Sequence, residues 1–158
     1  VYTTVHDDSG VISVDVPAEW NDVDGTSAFP PEPHVAAASD IDRYYNTWDV
    51  SGISVGASRT LAQDHPTPTA FLASLDFSWL ERNDNCNSTD SGVYDDGILI
   101  GEYISAEGCG LGNVSYSFIA AQQAGTDFFV IIQYQTITPQ DAVAINGILA
   151  SIEVTPWP

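Results

Sequence analysis

Asp22-Val23-Asp24-Gly25-Thr26 is the stretch of this sequence whose residue types and spacing come nearest to a reaction centre. The DxDGT pattern suits phosphoryl transfer, in which an aspartate attacks phosphorus and becomes an aspartyl-phosphate. That chemistry also needs the nucleophile at the end of a buried parallel strand, a Mg²⁺ site and a cation on the phosphoryl oxygens. Pro17-Ala18-Glu19-Trp20-Asn21 precedes it, which cannot be a central strand, and the chain has no lysine to act as the cation. The expectation is an Asx/Gly turn.

Asp84, Asn85, Asn87 and Asp90, with Asp95-Asp96-Gly97 close behind, gather oxygen ligands of the kind Ca²⁺ takes. Cys86 and Thr89 break the EF-hand alternation and no Glu closes it. Asp84, Asp90, Asp95 and Asp96 are therefore weak calcium candidates, and a solvated disulfide loop is the default. His6, His34 and His65 each neighbour turn residues. A Ser-His-Asp triad assembles in three dimensions, so spacing leaves it open, but no G-x-S-x-G elbow accompanies it. Gly108-Cys109-Gly110-Leu111-Gly112 is too short for a dinucleotide fingerprint and reads as a turn. Trp20, Trp48 and Trp79 read as core residues, with an exposed aromatic platform for glycans as the alternative. No residue set is assigned as catalytic, and neither a cofactor nor a dedicated metal is expected.

The two cysteines, Cys86 and Cys109, belong to no C-x-x-C pair and have no His at zinc-ligand spacing. Each sits among Gly, Asn or Ser, where a free thiol would be exposed, so a disulfide and an oxidising, extracellular or cell-surface location are expected. The alternative is two unpaired thiols in a cytosolic protein. Asn87-Ser88-Thr89 and Asn113-Val114-Ser115 fit the glycosylation sequon, a triplet that chance also produces in a Ser/Thr/Asn-rich chain.

The elements that must position these residues are readable from periodicity. Val1–Val5, Val11–Val16, Val35–Ala38 and Gly52–Ala57 read as strands, and 21–34, with Gly25 and three prolines, as an irregular loop. Ser39 with Asp42 reads as a helix cap, followed by a helix over 40–48 that buries Ile41, Tyr44, Tyr45 and Trp48. Thr67-Pro68 opens a second helix with Phe71, Leu72, Leu75, Trp79 and Leu80 on one face. Residues 83–92 read as a polar loop. Three strands, 97–106, 113–122 and 127–136, then form an antiparallel meander, with Phe128–Ile132 central. Thr138-Pro139-Gln140-Asp141 opens a last helix, burying Ala142, Ile145, Ile148 and Leu149, before a strand at 152–154. The sum is one α+β domain over 1–158, a mostly antiparallel sheet with helices packed on it.

Composition bounds the rest. The chain has 158 residues and 16.9 kDa, a length suited to one core. With 44% hydrophobic residues it is no disordered acidic tail. No apolar run approaches the roughly 20 residues needed to span a bilayer, so no membrane insertion is expected. Against 22 acids stand 3 cations, a formal charge of −19, which excludes a basic surface for nucleic acid or anionic lipid. The acids are scattered through turns and caps rather than run together, which suits a saline or cation-rich extracellular setting. Val1–Val5 alternates like a strand rather than a signal peptide, so a mature product or an excised domain is expected.

Val16-Pro17-Ala18-Glu19-Trp20-Asn21-Asp22-Val23, Ala36-Ala37-Ala38-Ser39-Asp40-Ile41-Asp42, Gly52-Ile53-Ser54-Val55, the Cys86/Cys109 pair and Asp141–Val154 together follow one pattern. It resembles an accessory domain of secreted or membrane-tethered actinobacterial proteins, often placed after a trypsin-like protease. The Pro-x-x-Trp after an early strand is similar to the fold of PsbP, an extrinsic photosystem subunit. What the resemblance implies is a PsbP-like α/β sandwich used for binding or docking, with no activity and no site residues to carry over. The functional expectation is a non-catalytic extracellular module that docks a protein partner or a sister domain of the same precursor. The alternative is a subunit of an extracellular filament or surface layer, self-assembling through terminal segments with Trp157 as the plug. A hydrolase with an unrecognised site is the third.

Overall fold

A strand covered on both faces must be apolar throughout, whereas one covered on a single face alternates. The computed structural model describes residues 1–27, 32–82 and 85–158, and its strands obey this rule. A seven-stranded sheet runs in the order β3 (Asp22–Asp24), β4 (His34–Ala38), β5 (Gly52–Ser58), β9 (Phe129–Thr136), β8 (Val114–Gln123), β7 (Leu99–Cys109), β6 (Ser88–Asp95). A smaller sheet has β2 (Ile12–Pro17) between β1 (Tyr2–His6) and β10 (Glu153–Val154). All of these pairings are antiparallel. The helices are α1 (Ile41–Asn46), α2 (Arg59–Asp64), α3 (Pro68–Ala73) and α4 (Pro139–Ala150), and the class is α+β. Among the described residues no helix is long and apolar enough to cross a membrane.

The apolar run Phe128–Ile132 is central, as expected, because both faces of β9 are covered. Val130 and Ile132 join Ile12, Val14 and Val16 of the smaller sheet and Ile145, Ile148 and Leu149 of α4 in one core. Phe129 instead joins Phe71, Leu72, Leu80, Phe118 and both cysteines in a second core on the opposite face. Helices and the smaller sheet thus sandwich the large sheet.

Several boundaries differ from the sequence reading, each for a local reason. The cap of α1 is Asp40, not Ser39: its carboxylate accepts the Arg43 N–H at 3.0 Å. The helix stops at Asn46 and leaves Tyr45 half in solvent. Residues 22–24 are an edge strand inside the expected loop, and β6 occupies much of the expected polar loop 83–92. Both are polar because an edge strand with solvated faces has little to bury. The second helix ends at Ala73, and Trp79 and Leu80 belong to a separate 3-10 turn, Ser78–Leu80. Helix α2 had no apolar stripe to announce it; Ser58 caps it by accepting the Leu61 N–H at 3.0 Å. Helix α4 carries the expected capping box, Thr138 with Asp141, although Ala142 is exposed.

Trp157 is the largest departure. It is 9% exposed, its ring 4.9 Å from that of Phe128, so it fills this chain's own core and is not held out to a neighbour. Arg59 fixes it there. The guanidinium lies 4.3 Å over the indole, bonds the Trp157 and Pro158 carbonyls, and pairs with Asp127 at 3.1 Å. A partly solvated cation on an aromatic face, as here, is worth about 1 kcal/mol.

The other arginines are also engaged, Arg43 with Asp49 and Arg82 with Asp76, so acids dominate the surface. Asp7, 4% exposed, is the buried exception. Burial pushes its pKa upward, but the Ile12 and Ser9 N–H groups and the Ser9 hydroxyl outweigh that and hold it below the ordinary carboxylate range. With a charge of −19, self-repulsion opposes the compact state, and salt relieves it. The screening length falls from about 30 Å at 0.01 M to about 3 Å at 1 M. Tm is expected to rise across that range of NaCl; a flat or falling Tm in scanning calorimetry would contradict this.

Candidate ligand-binding groove

The DxDGT string is a turn at the end of an edge strand. Asp24 accepts both the N–H and the hydroxyl of Thr26, at 2.9 and 2.6 Å, and Asp22 accepts the Ile41 N–H at 2.8 Å. Neither carboxylate stands at the end of a buried parallel strand, so the geometry for an aspartyl nucleophile is not formed.

The calcium candidates are dispersed. Asp84 lies outside the described residues. Asp90 and Asp95 are on β6, five residues apart and so about 17 Å along an extended chain. Asp95 and Asp96 bond the hairpin turn, accepting the N–H groups of Gly97, and of Ile98 and Leu99. Among the described residues no three His, Cys, Asp or Glu side chains converge to hold a metal ion. The histidines lie on separate elements. His34, on β4, is depressed in pKa by burial, partly offset by the nearby charge of Asp24, and the His65 ring packs 5.3 Å from Phe71.

Cys86 and Cys109 form a disulfide. Their sulfurs lie in the second core, 5% and 0% exposed, rather than in solvent as the flanking Gly and Asn suggested. The bridge joins the segment after the 3-10 turn to the end of β7. Backbone bonds reinforce it, Gly110 N–H to Asn85 O at 2.7 Å and Asn87 N–H to Glu107 O at 2.9 Å.

Beside this crosslink lies a groove of about 290 Å³, near the lower end of small-ligand sites. Its aromatic wall is built in layers. Tyr116 on β8 meets Trp48 and Trp79 edge-on, at 5.9 and 5.8 Å between centroids. The two indoles are near-parallel, with 20° between planes and centroids 6.4 Å apart. Trp48 is packed on Gly110: a Cβ there would come within 2.5 Å of the Trp48 Cβ, and φ is +69°. Only glycine meets both demands. Trp79 is 37% exposed, and Tyr45, tilted against Tyr44, is 53% exposed, so the aromatic surface reaches solvent.

The floor is amide. Gln133 and Gln135 continue the β9 face that begins with Phe129 and Ile131. Gln133 accepts the Tyr116 O–H at 2.9 Å, and Gln135 donates to the Thr47 and Val50 carbonyls. Asn46 and Asn85 stand at the rim, donating to Asp42 O at 2.7 Å and Trp79 O at 2.9 Å. Burial raises the pKa of Tyr44 and Tyr116, which keeps both hydroxyls neutral. Among the described residues, none that lines the groove is Asp, Glu, Lys, Arg, His or Cys.

Of these residues, sequence reasoning singled out Trp48 and Trp79 as core with a platform as the alternative, and the structure places both half in solvent on one wall. It took Tyr45 for a buried helix residue and passed over Tyr116 and the two glutamines. Their signal was the switch along one face of β9 from apolar side chains to amides, where continued burial calls for apolar ones. Asn85 appeared only as a calcium ligand, a role its hydrogen bond to Trp79 does not serve. No protein-family profile and no curated protein matches this chain.

Proposed function

We propose that this chain is a non-catalytic extracellular docking module of PsbP-like type, and that the aromatic groove is its docking site. The observation carrying this reading is the lining: exposed indole and phenol surface with neutral amides and, among the described residues, no side chain suited to acid–base or nucleophilic work at neutral pH. Rigid aromatic anchors on ordered elements are what a binding surface uses. The buried disulfide and the acid-rich, lysine-free composition support an extracellular setting. The assembly alternative drew on strand exchange by the terminal segments and on Trp157 as a plug; burial of Trp157 against Phe128 weakens the second ground alone.

The test is hydroxyl-radical footprinting of the folded protein with and without cell-envelope preparations. Protection confined to Tyr45, Trp48 and Trp79, with the envelope material chemically unchanged, is the expected result. Unaltered labelling of these rings, or release of small products from the envelope, would overturn the reading.

A further inference from the structure

The groove's chemistry narrows what it can hold. The chain carries 22 acids, yet among the described residues no acid lines this cavity, and neither does a cation. An ionic ligand would find no counter-charge there and would give up hydration without compensation. A purely apolar ligand would bury amides that need hydrogen-bond partners. Asn46 and Asn85 each commit one side-chain N–H to a backbone carbonyl, and their second N–H and side-chain carbonyl have no partner among the described residues. Gln133 is the complement: its carbonyl takes the Tyr116 hydroxyl, and its NH₂ has no partner among the described residues. The site therefore offers acceptors and donors at the rim and a donor on the floor, beside two near-parallel indoles.

We propose that the groove binds a neutral saccharide chain, whose C–H faces pack on Trp48 and Trp79 while its hydroxyls bond Asn46, Asn85 and Gln133. A pyranose ring has both surfaces: axial hydrogens form apolar faces, and the hydroxyls around the rim donate and accept. Neutral sugars also carry no charge for the −19 surface to repel. The inference rests on the docking reading above and names the class of ligand for that same site.

Isothermal titration with cellohexaose, chitohexaose, maltohexaose and xylohexaose, followed in parallel by tryptophan fluorescence, tests it. At least one of these probes is expected to bind with a millimolar or tighter Kd and to shift the emission. Trp79→Ala, at a partly exposed position, should lower Tm by a few degrees, stay folded at the assay temperature and weaken binding about tenfold or more. Asn85→Ala should weaken it less. Oligogalacturonate, a polyanion, should not bind. Absence of binding by all four neutral probes, tighter binding of the polyanion, or an unchanged Kd in Trp79→Ala would each overturn the proposal. Footprint protection by envelope material together with four silent probes would leave the docking reading standing and reject the saccharide. Silence in both assays would reject both.

Discussion

A Cys86→Ser/Cys109→Ser double variant is expected to lose about 3 kcal/mol of stability, read as a lower midpoint in urea unfolding monitored by circular dichroism. Two terms act in the same direction. The crosslink spans 23 positions, and opening it restores loop entropy to the unfolded chain. The half-cystines are 5% and 0% exposed among Phe118, Leu80 and Ala106, so serine hydroxyls would be placed in apolar surroundings. The groove should suffer beyond the global loss. Asn85 precedes Cys86 and holds the Trp79 carbonyl, while Gly110 follows Cys109 and supports Trp48. Freed of the bridge, both sides of the aromatic wall lose their anchor. Emission of the variant in the folded baseline should therefore already differ from wild type. An unchanged urea midpoint would show that the bridge closes a loop the strands already hold.

Trp157→Ala is expected to be at least as damaging, at about 3–5 kcal/mol, the usual cost of removing a large buried aromatic. The indole is 9% exposed and packs on Phe128, itself 1% exposed, and the Arg59 guanidinium is stacked on its outer face. Removing the ring opens a cavity in the main core and uncovers the cation at once. The mass measured by light scattering should stay the same for variant and wild type at every concentration where both are folded. A near-neutral effect on stability coupled to a drop in mass would restore Trp157 to the role of a plug between molecules.

What the sequence made legible follows from where a single strong rule acted. Thr138-Pro139-Gln140-Asp141 and the apolar run Phe128–Ile132 were readable because cap chemistry and two-sided burial each dictate residue type directly. The edge strand Ser88–Asp95 was not, since its polarity reflects solvent on its faces and matches that of a loop. Helix α2 escaped for a related reason: it contributes only half-buried Leu61 and Ala62 to the second core. The groove is a tertiary product. Trp48 and Trp79 lie on opposite sides of β5, α2 and α3 in the chain and meet only because both pack against Tyr116. No spacing rule connects residues brought together that way, though the glutamines on β9 marked where the sheet face ceases to be apolar.

The pairing of β10 with β2, Val154 opposite Ile12 and Glu153 opposite Ser13, has a consequence for how the protein is made. Strands β6 to β9 pair with their neighbours in sequence and can form while the chain is still emerging. The first strands cannot finish: Ile12, Val14 and Val16 wait for α4 and for β9 to cover them. Residues from Val5 to Trp157 must therefore all be in place before the larger core closes, and until then its earliest apolar residues lack their cover.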